Sequence, residues 1–281
     1  MKQDDTAQYS SDQHLRAADP GGCDSERPGA PSPSAAPPIG ELLTTLGAAL
    51  RHHALETLSP TRCAGCERPG ALICERCLAR LTLIDPVESC TTCGAPFGAM
   101  LCTECRGEAG ACDRVLASCA FEGPAPRIVR AYKDAGEQRL GPLIAQLILD
   151  TAEHAEATAA DRYSGILSAD AIVFVPATAA AYRRRGFDHM EAIARELASL
   201  SGIPLLDALV KHGKADQRDL GRVERLASSG GQYEVVAPVA GLRALLIDDV
   251  ITTGATLNAA AAALRGAGAA TVDGLAFARV W

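Results

Sequence analysis

One run late in this 281-residue chain leaves few folds open: Leu245-Leu246-Ile247-Asp248-Asp249-Val250-Ile251-Thr252-Thr253-Gly254-Ala255-Thr256. An apolar strand ends in two adjacent carboxylates, and a Thr-Thr-Gly-Ala-Thr turn then opens an alanine-rich helix. Backbone N–H groups at a helix N-terminus, aided by the helix dipole and by threonine hydroxyls, hold a phosphate. Carboxylates just upstream accept hydrogen bonds from ribose hydroxyls. Glycine lets the backbone approach the anion and take dihedrals that a Cβ forbids. The run therefore suits a sugar phosphate. An ordinary strand-to-helix turn capped by Asp and Thr shares its outline. A Walker phosphate loop fits poorly, because no Lys follows the glycine.

The rest of the chain is consistent with that junction. From about Asp113 onward strand and helix alternate: strands over 115–121, 171–175, 243–247 and 270–278, helices over 124–135, 140–154, 187–200 and 256–265. Residues 211–232 are polar and ambiguous. Such alternation predicts an α/β fold, a mostly parallel sheet with helices on both faces. Ligands of these sheets bind at the C-terminal ends of strands, where Asp248 and Asp249 fall. Hydrophobic residues make up 48% of the chain but aromatics only 4%, so alanine and small aliphatics must fill the core. Residues 1–40 hold six of the sixteen prolines among Ser, Gly and Asp and read as a disordered tail. Leu42, Leu43, Leu46, Leu50 and Leu55 then set one apolar stripe, predicting a helix over 41–58 with His52 and His53 on its surface.

Four CxxC pairs crowd the next segment: Cys63/Cys66, Cys74/Cys77, Cys90/Cys93 and Cys102/Cys105. A tetrahedral Zn²⁺ takes four thiolates, which two such knuckles supply with little strain. The short spacers favour two sequential Cys₄ sites, although the first knuckle can also pair with the third. Thioredoxin-like chemistry predicts one CxxC at a helix start, not four. Closed Cys₄ sites are structural, and so poor in apolar residues a segment needs its metal to fold. Cys112 and Cys119 lie outside the pairs, with Cys119 reading as a small core residue on a strand. Metal-type cysteine spacing, the absence of a secretory signal and of any long apolar run point to a cytoplasmic protein without membrane insertion. A formal net charge of −7 repels polyanions, so nucleic-acid contact would need a local basic patch. Arg62, Arg68, Arg76 and Arg80 are scattered through the cysteine segment, with acids interleaved and Phe97 as its lone aromatic.

The 245–256 run resembles the phosphoribosyl-pyrophosphate (PRPP) motif of type I phosphoribosyltransferases. With zinc knuckles before it, the chain over roughly 59–281 resembles the ComF family, the competence-associated phosphoribosyltransferase-like proteins of bacteria. Three further stretches carry the likeness: Pro126 to Gly136, Val175-Pro176 with Arg183-Arg184-Arg185-Gly186-Phe187, and Gln217 with Leu220 and Arg225. It departs at Ala177 and Thr178, at Asp188-His189 where the family has Asn-Gln, and at Ser228.

The resemblance implies a type I phosphoribosyltransferase fold over 113–281 behind a double zinc-ribbon module over 59–112. It implies that Asp248 and Asp249 hold the ribose hydroxyls, and that Val250, Thr252, Thr253, Gly254, Ala255 and Thr256 complete the PRPP site. Arg185 would serve the pyrophosphate with Mg²⁺, while Cys63, Cys66, Cys74, Cys77, Cys90, Cys93, Cys102 and Cys105 would hold two structural Zn²⁺. Where 6-oxopurine enzymes carry a base-serving aspartate this chain has Thr252, which disfavours a purine acceptor. Three functions stay open: transfer of phosphoribose to an unnamed acceptor, handling of single-stranded DNA alongside competence machinery, or sensing of PRPP without turnover. Oligomeric state is left open.

Overall fold

The computed structural model describes residues 60–96, 101–107, 110–212 and 232–281. The tail over 1–40, the helix expected over 41–58, Phe97 and the stretch holding Gln217, Leu220, Arg225 and Ser228 lie outside those residues.

Within the cysteine segment a single helical turn, α1 (Glu75–Leu78), follows Cys74. The first long strand, β1 (Arg114–Ala120), leads to α2 (Ala125–Lys133), α3 (Leu140–Thr158) and a short α4 (Ala160–Tyr163). Next come β2 (Ala171–Phe174), α5 (Ala179–Arg185) and α6 (His189–Ser201). A small antiparallel hairpin pairs β3 (Leu209–Lys211) with β4 (Tyr233–Val235). Then β5 (Arg243–Ile251), α7 (Ala255–Gly266) and β6 (Thr271–Arg279) follow.

Four strands form one parallel sheet in the order β1-β6-β5-β2. Both of its edges are covered. The segment at Leu83 bridges β1 antiparallel, with Ile84 N–H donating to Ser118 O at 3.1 Å, and Leu205 runs parallel to β2. Covering the edges removes open pairing groups, and the first of these contacts fastens the linker between the two cysteine groups to the sheet.

Side chains alternate across the strands, as the period of two demands. Leu116, Leu245 and Ile247 join α2, α3 and α6 in one apolar layer, while Val115, Ala117, Ala244 and Leu246 face α7 and the hairpin in the other. Alanine packs the helices closely: Ala145, Ala152, Ala155 and Ala194 are fully buried. Cys119 is part of the core as expected, its thiol donating to Phe277 O at 3.3 Å, and burial pushes it up to about 12.

Local signals set the helix ends. Thr178 caps α5 by accepting from Ala181 N–H at 3.2 Å, and Asp188 caps α6 by accepting from Met190 N–H at 2.9 Å and Glu191 N–H at 3.3 Å. Gly186 (φ 78°) and Gly202 (φ 75°) stop them in the left-handed conformation. Expected elements recur with shifted ends: β5 runs on through Ile251 rather than stopping at Ile247, which buries the acidic pair within the strand. The α5 helix and the β3–β4 hairpin were not expected. Among the described residues no helix is long and apolar enough to cross a membrane.

Candidate functional site

The acidic pair sits near the C-terminal end of β5, at the rim where β2 also ends. Both carboxylates are buried, Asp248 and Asp249 each 6% exposed. Asp248 Oδ1 accepts from Asp249 N–H at 2.9 Å, and Asp249 Oδ1 from Val250 N–H at 2.8 Å. The two are not equivalent. Asp249 Oδ2 accepts from Lys133 Nζ at 2.5 Å and lies 3.3 Å from His189 Nε2. Burial opposes its ionisation, yet the His189 hydrogen bond and the Lys133 charge hold Asp249 well below the carboxylate range. Asp248 lacks those partners, and burial together with the charge on Asp249 pushes its carboxyl up.

Arg185, chosen from sequence for the pyrophosphate side, enters the same network. Its Nη1 lies 3.3 Å from His189 Nδ1, its Nη2 lies 3.8 Å from Asp134 Oδ1, and its buried Nε has no partner among the described residues. An arginine can only donate, so His189 accepts at Nδ1 and presents Nε2–H to Asp249. Tyr132 fixes the backbone there, its hydroxyl donating to His189 O at 2.6 Å. Asp188 also accepts from Ala177 N–H at 2.7 Å, tying the turn after β2 to the start of α6. Tyr233 is buried, its hydroxyl without a hydrogen-bond partner among the described residues, and Lys211 Nζ lies 5.3 Å from its ring. Burial lowers the Lys211 ammonium against the upward pull of Asp248.

Immediately downstream the chain turns into α7. Gly254 takes φ +76°, a conformation that L side chains rarely adopt, and a Cβ there would meet nothing closer than Asn258 Nδ2 at 3.5 Å. The glycine thus answers a backbone need, not a lack of space. Standing at the N-cap, it brings no side-chain oxygen of its own to the first-turn amides, of which Ala255 N–H is taken by Thr253. Thr252 and Thr253 are exposed beside it, and Thr253 Oγ1 accepts from Ala255 N–H at 3.3 Å. A cavity of about 230 Å³ separates this turn from the cysteine segment, lined by Thr92, Cys105, Thr253, Gly254 and Arg279 among others. A second, of about 390 Å³, opens beside the end of β2 between Pro176, Arg183, Asp188, Asp207 and Lys211.

The eight paired cysteines gather into two groups, Cys63/Cys66/Cys74/Cys77 and Cys90/Cys93/Cys102/Cys105, each with its four sulfurs within 4.8 Å of one another. Cys66 Sγ lies 3.7 Å from Cys74 Sγ, and Cys93 Sγ 3.7 Å from Cys102 Sγ. Zinc–sulfur bonds of about 2.3 Å at tetrahedral angles place ligand sulfurs about 3.8 Å apart, so the sulfur cages fit that ion. First pairs with second and third with fourth, rather than first with third.

Two members of the acidic-pair network had been given no role from sequence. Lys133 lies 116 residues from Asp249 along the chain, inside the Pro126–Gly136 stretch, and His189 directly follows the Arg-Gly-Phe-Asp stretch. Arg183 and Arg184, in contrast, are exposed on α5.

Residues 152–278 match the phosphoribosyl transferase domain family. A DNA utilization protein, YhgH, of Salmonella typhi is 28% identical over 222 residues, covering 76% of this chain and 95% of its own length. Its counterpart from Escherichia coli K12 is 26% identical over the same shares. Among solved structures, a glutamine PRPP amidotransferase from B. subtilis aligns with 50% of this chain and 25% of its own at 22% identity, with a TM-score of 0.33.

Proposed function

We propose that this chain, a ComF-type relative of the DNA utilization proteins with a phosphoribosyl transferase domain, binds PRPP at the β5–α7 junction. The observation that carries the reading is the placement, on one strand-to-helix connection, of a buried acidic pair and a left-handed glycine turn that opens a helix. Asp248 and Asp249 would take the ribose 2′- and 3′-hydroxyls. The amides and hydroxyls of Thr252 to Thr256, with Val250 behind them, would take the 5′-phosphate. Arg185, with a buried Nε that lacks a partner among the described residues, supports a role on the pyrophosphate side.

Mg²⁺, when bound, would neutralise pyrophosphate oxygens while keeping several waters. The chain's own residues supply the rest. Lys133 and His189 hold Asp249 ionised and oriented, so that it can accept a ribose hydroxyl without a rearrangement of charge. As pyrophosphate leaves C1, positive charge grows on the ribose. The fixed Asp249 carboxylate and a positioned phosphate are the contribution that the site can make to that step. Among the described residues no side chain stands out as a base for an acceptor, so binding is the core of the proposal and turnover its extension.

We assign 59–112 to a cysteine module holding two structural Zn²⁺ and 113–281 to the phosphoribosyltransferase domain, in a cytoplasmic protein serving DNA uptake or utilization. Calorimetric titration of zinc-loaded protein with PRPP and Mg²⁺ tests the reading. Saturable binding that disappears in Asp248→Asn/Asp249→Asn protein is expected. A flat titration with the unmodified chain would refute it.

A further inference from the structure

Arg279 closes β6 and is 5% exposed, an unusual burial for a guanidinium. Its Nε donates to Cys93 O at 2.8 Å, and its Nη1 donates to Ile251 O at 3.4 Å and to the carbonyls of Thr252 and Val280. Cys93 belongs to the second cysteine group, 186 residues away in sequence. Ile251 ends β5, and Thr252 opens the glycine turn. One side chain thus spans from the sulfur cage to the turn. Beside it, Asn258 Oδ1 on α7 accepts at 3.0 Å from the N–H of Ala111, in the segment leaving the same cage. The first cage is placed differently: Arg127 of α2 donates to Gly65 O at 3.4 Å, away from the turn.

Charge gives this bridge its meaning. Carbonyls satisfy the N–H groups of a buried guanidinium but do not neutralise it, and an uncompensated buried charge is strongly destabilising. Thiols that coordinate a metal are deprotonated outright. Four thiolates outweigh one divalent ion, so a loaded second cage carries net negative charge against the Arg279 side.

We propose that Arg279 is a positioning residue through which the metal in the second cage sets the shape of the Thr252–Thr256 turn, and so its affinity for the phosphate of PRPP. The inference rests on the PRPP reading above. Coupling between two sites is reciprocal, so PRPP must hold that metal as firmly as the metal favours PRPP.

Competition for zinc with a chromogenic chelator, carried to equilibrium with and without PRPP and Mg²⁺, reads the coupling. Alkylating freed thiols and mapping them by peptide mass spectrometry assigns each release to its cage. PRPP should raise the zinc affinity of the second cage, read from the extent of release at equilibrium, by about fivefold or more, within the usual range of such couplings, and leave the first unchanged. In Arg279→Gln protein the protection should vanish, and Arg279→Lys, which keeps the charge, should restore part of it. Should neither variant fold, the unmodified protein decides alone. Calorimetric PRPP binding with unaltered release from both cages overturns the coupling and leaves the site reading intact. No PRPP binding at all overturns both.

Discussion

Replacing Asp248 by Asn should stabilise the ligand-free protein near neutral pH while disabling its site. Asp248 is 6% exposed, beside an Asp249 that takes both Lys133 and His189 for itself. Burial first, and then the Asp249 charge, push its pKa from 3.8 to about 8. The sign follows from a raised folded-state value. The native chain keeps a proton that the unfolded chain releases, so the favourable contribution is full below 3.8 and is lost as pH climbs towards 8. Each tenfold fall in proton activity over that interval removes about 1.36 kcal/mol, giving at most roughly 4 kcal/mol by pH 7. Relaxation and water reaching the rim reduce this, and we expect about 2 kcal/mol, or roughly 4–8 °C in Tm for a domain of this size. Asparagine is neutral, of similar shape, and can still accept from Asp249 N–H. Thermal melts of zinc-loaded, Mg²⁺-free protein at pH 5 and pH 7.5 provide the assay. The gain should be small at pH 5 and larger at pH 7.5, and added PRPP with Mg²⁺ should then raise the Tm of the parent alone. An unchanged or lower Tm at pH 7.5, or a gain that is greatest at pH 5, would refute the reasoning.

Two further outcomes follow from the same geometry. Lys133→Met removes the cation 2.5 Å from Asp249 and leaves a buried carboxylate with His189 alone; a loss of about 2 kcal/mol in urea titration at pH 7.5 is expected, discounted because Lys133 is partly exposed. The loss should shrink to a few tenths in an Asp249→Asn background, and an undiminished loss there would assign it to packing instead. Stripping metal with a strong chelator should abolish hydrogen-exchange protection at the Ile84 amide, which bonds Ser118 O through the linker between the cages, while β5 amides keep theirs. Retained protection at Ile84 would mean that the module folds without its metal.

Much of this architecture is legible in the residues because it rests on local demands. The Asp248–Thr256 run needs a strand, a tight turn and a helix in that order, and β5, the Gly254 turn and α7 supply them. CxxC spacing likewise sets each knuckle, since neighbouring turns bring sulfurs together whatever else the chain does. What escaped was set by distance. The roles of Lys133 and Arg279 depend on contacts 116 and 186 residues away, and no periodicity encodes them. The α5 helix escaped for another reason. None of its residues is buried, so it has no apolar face to announce it, and the Thr178 cap and Gly186 stop are its main marks. The short hairpin strands offer only three residues each, too few to show alternation.

The strand order carries a kinetic consequence. β5, α7 and β6 are consecutive, so their pairing closes only a short loop, whereas the Arg114–Asp273 contact that joins β1 to β6 spans 159 residues. Contacts of that separation carry a higher closure entropy and tend to form late. The Gly254 turn therefore belongs to the part of the molecule that can assemble first, and β1 to the part that must wait. With β1 waits the cysteine segment whose linker it anchors. In that interval the eight thiols would stand apart from the sheet, open to metal ions and to oxidants alike, so that the order in which ion and strand arrive bears on how much of a newly made chain reaches this fold.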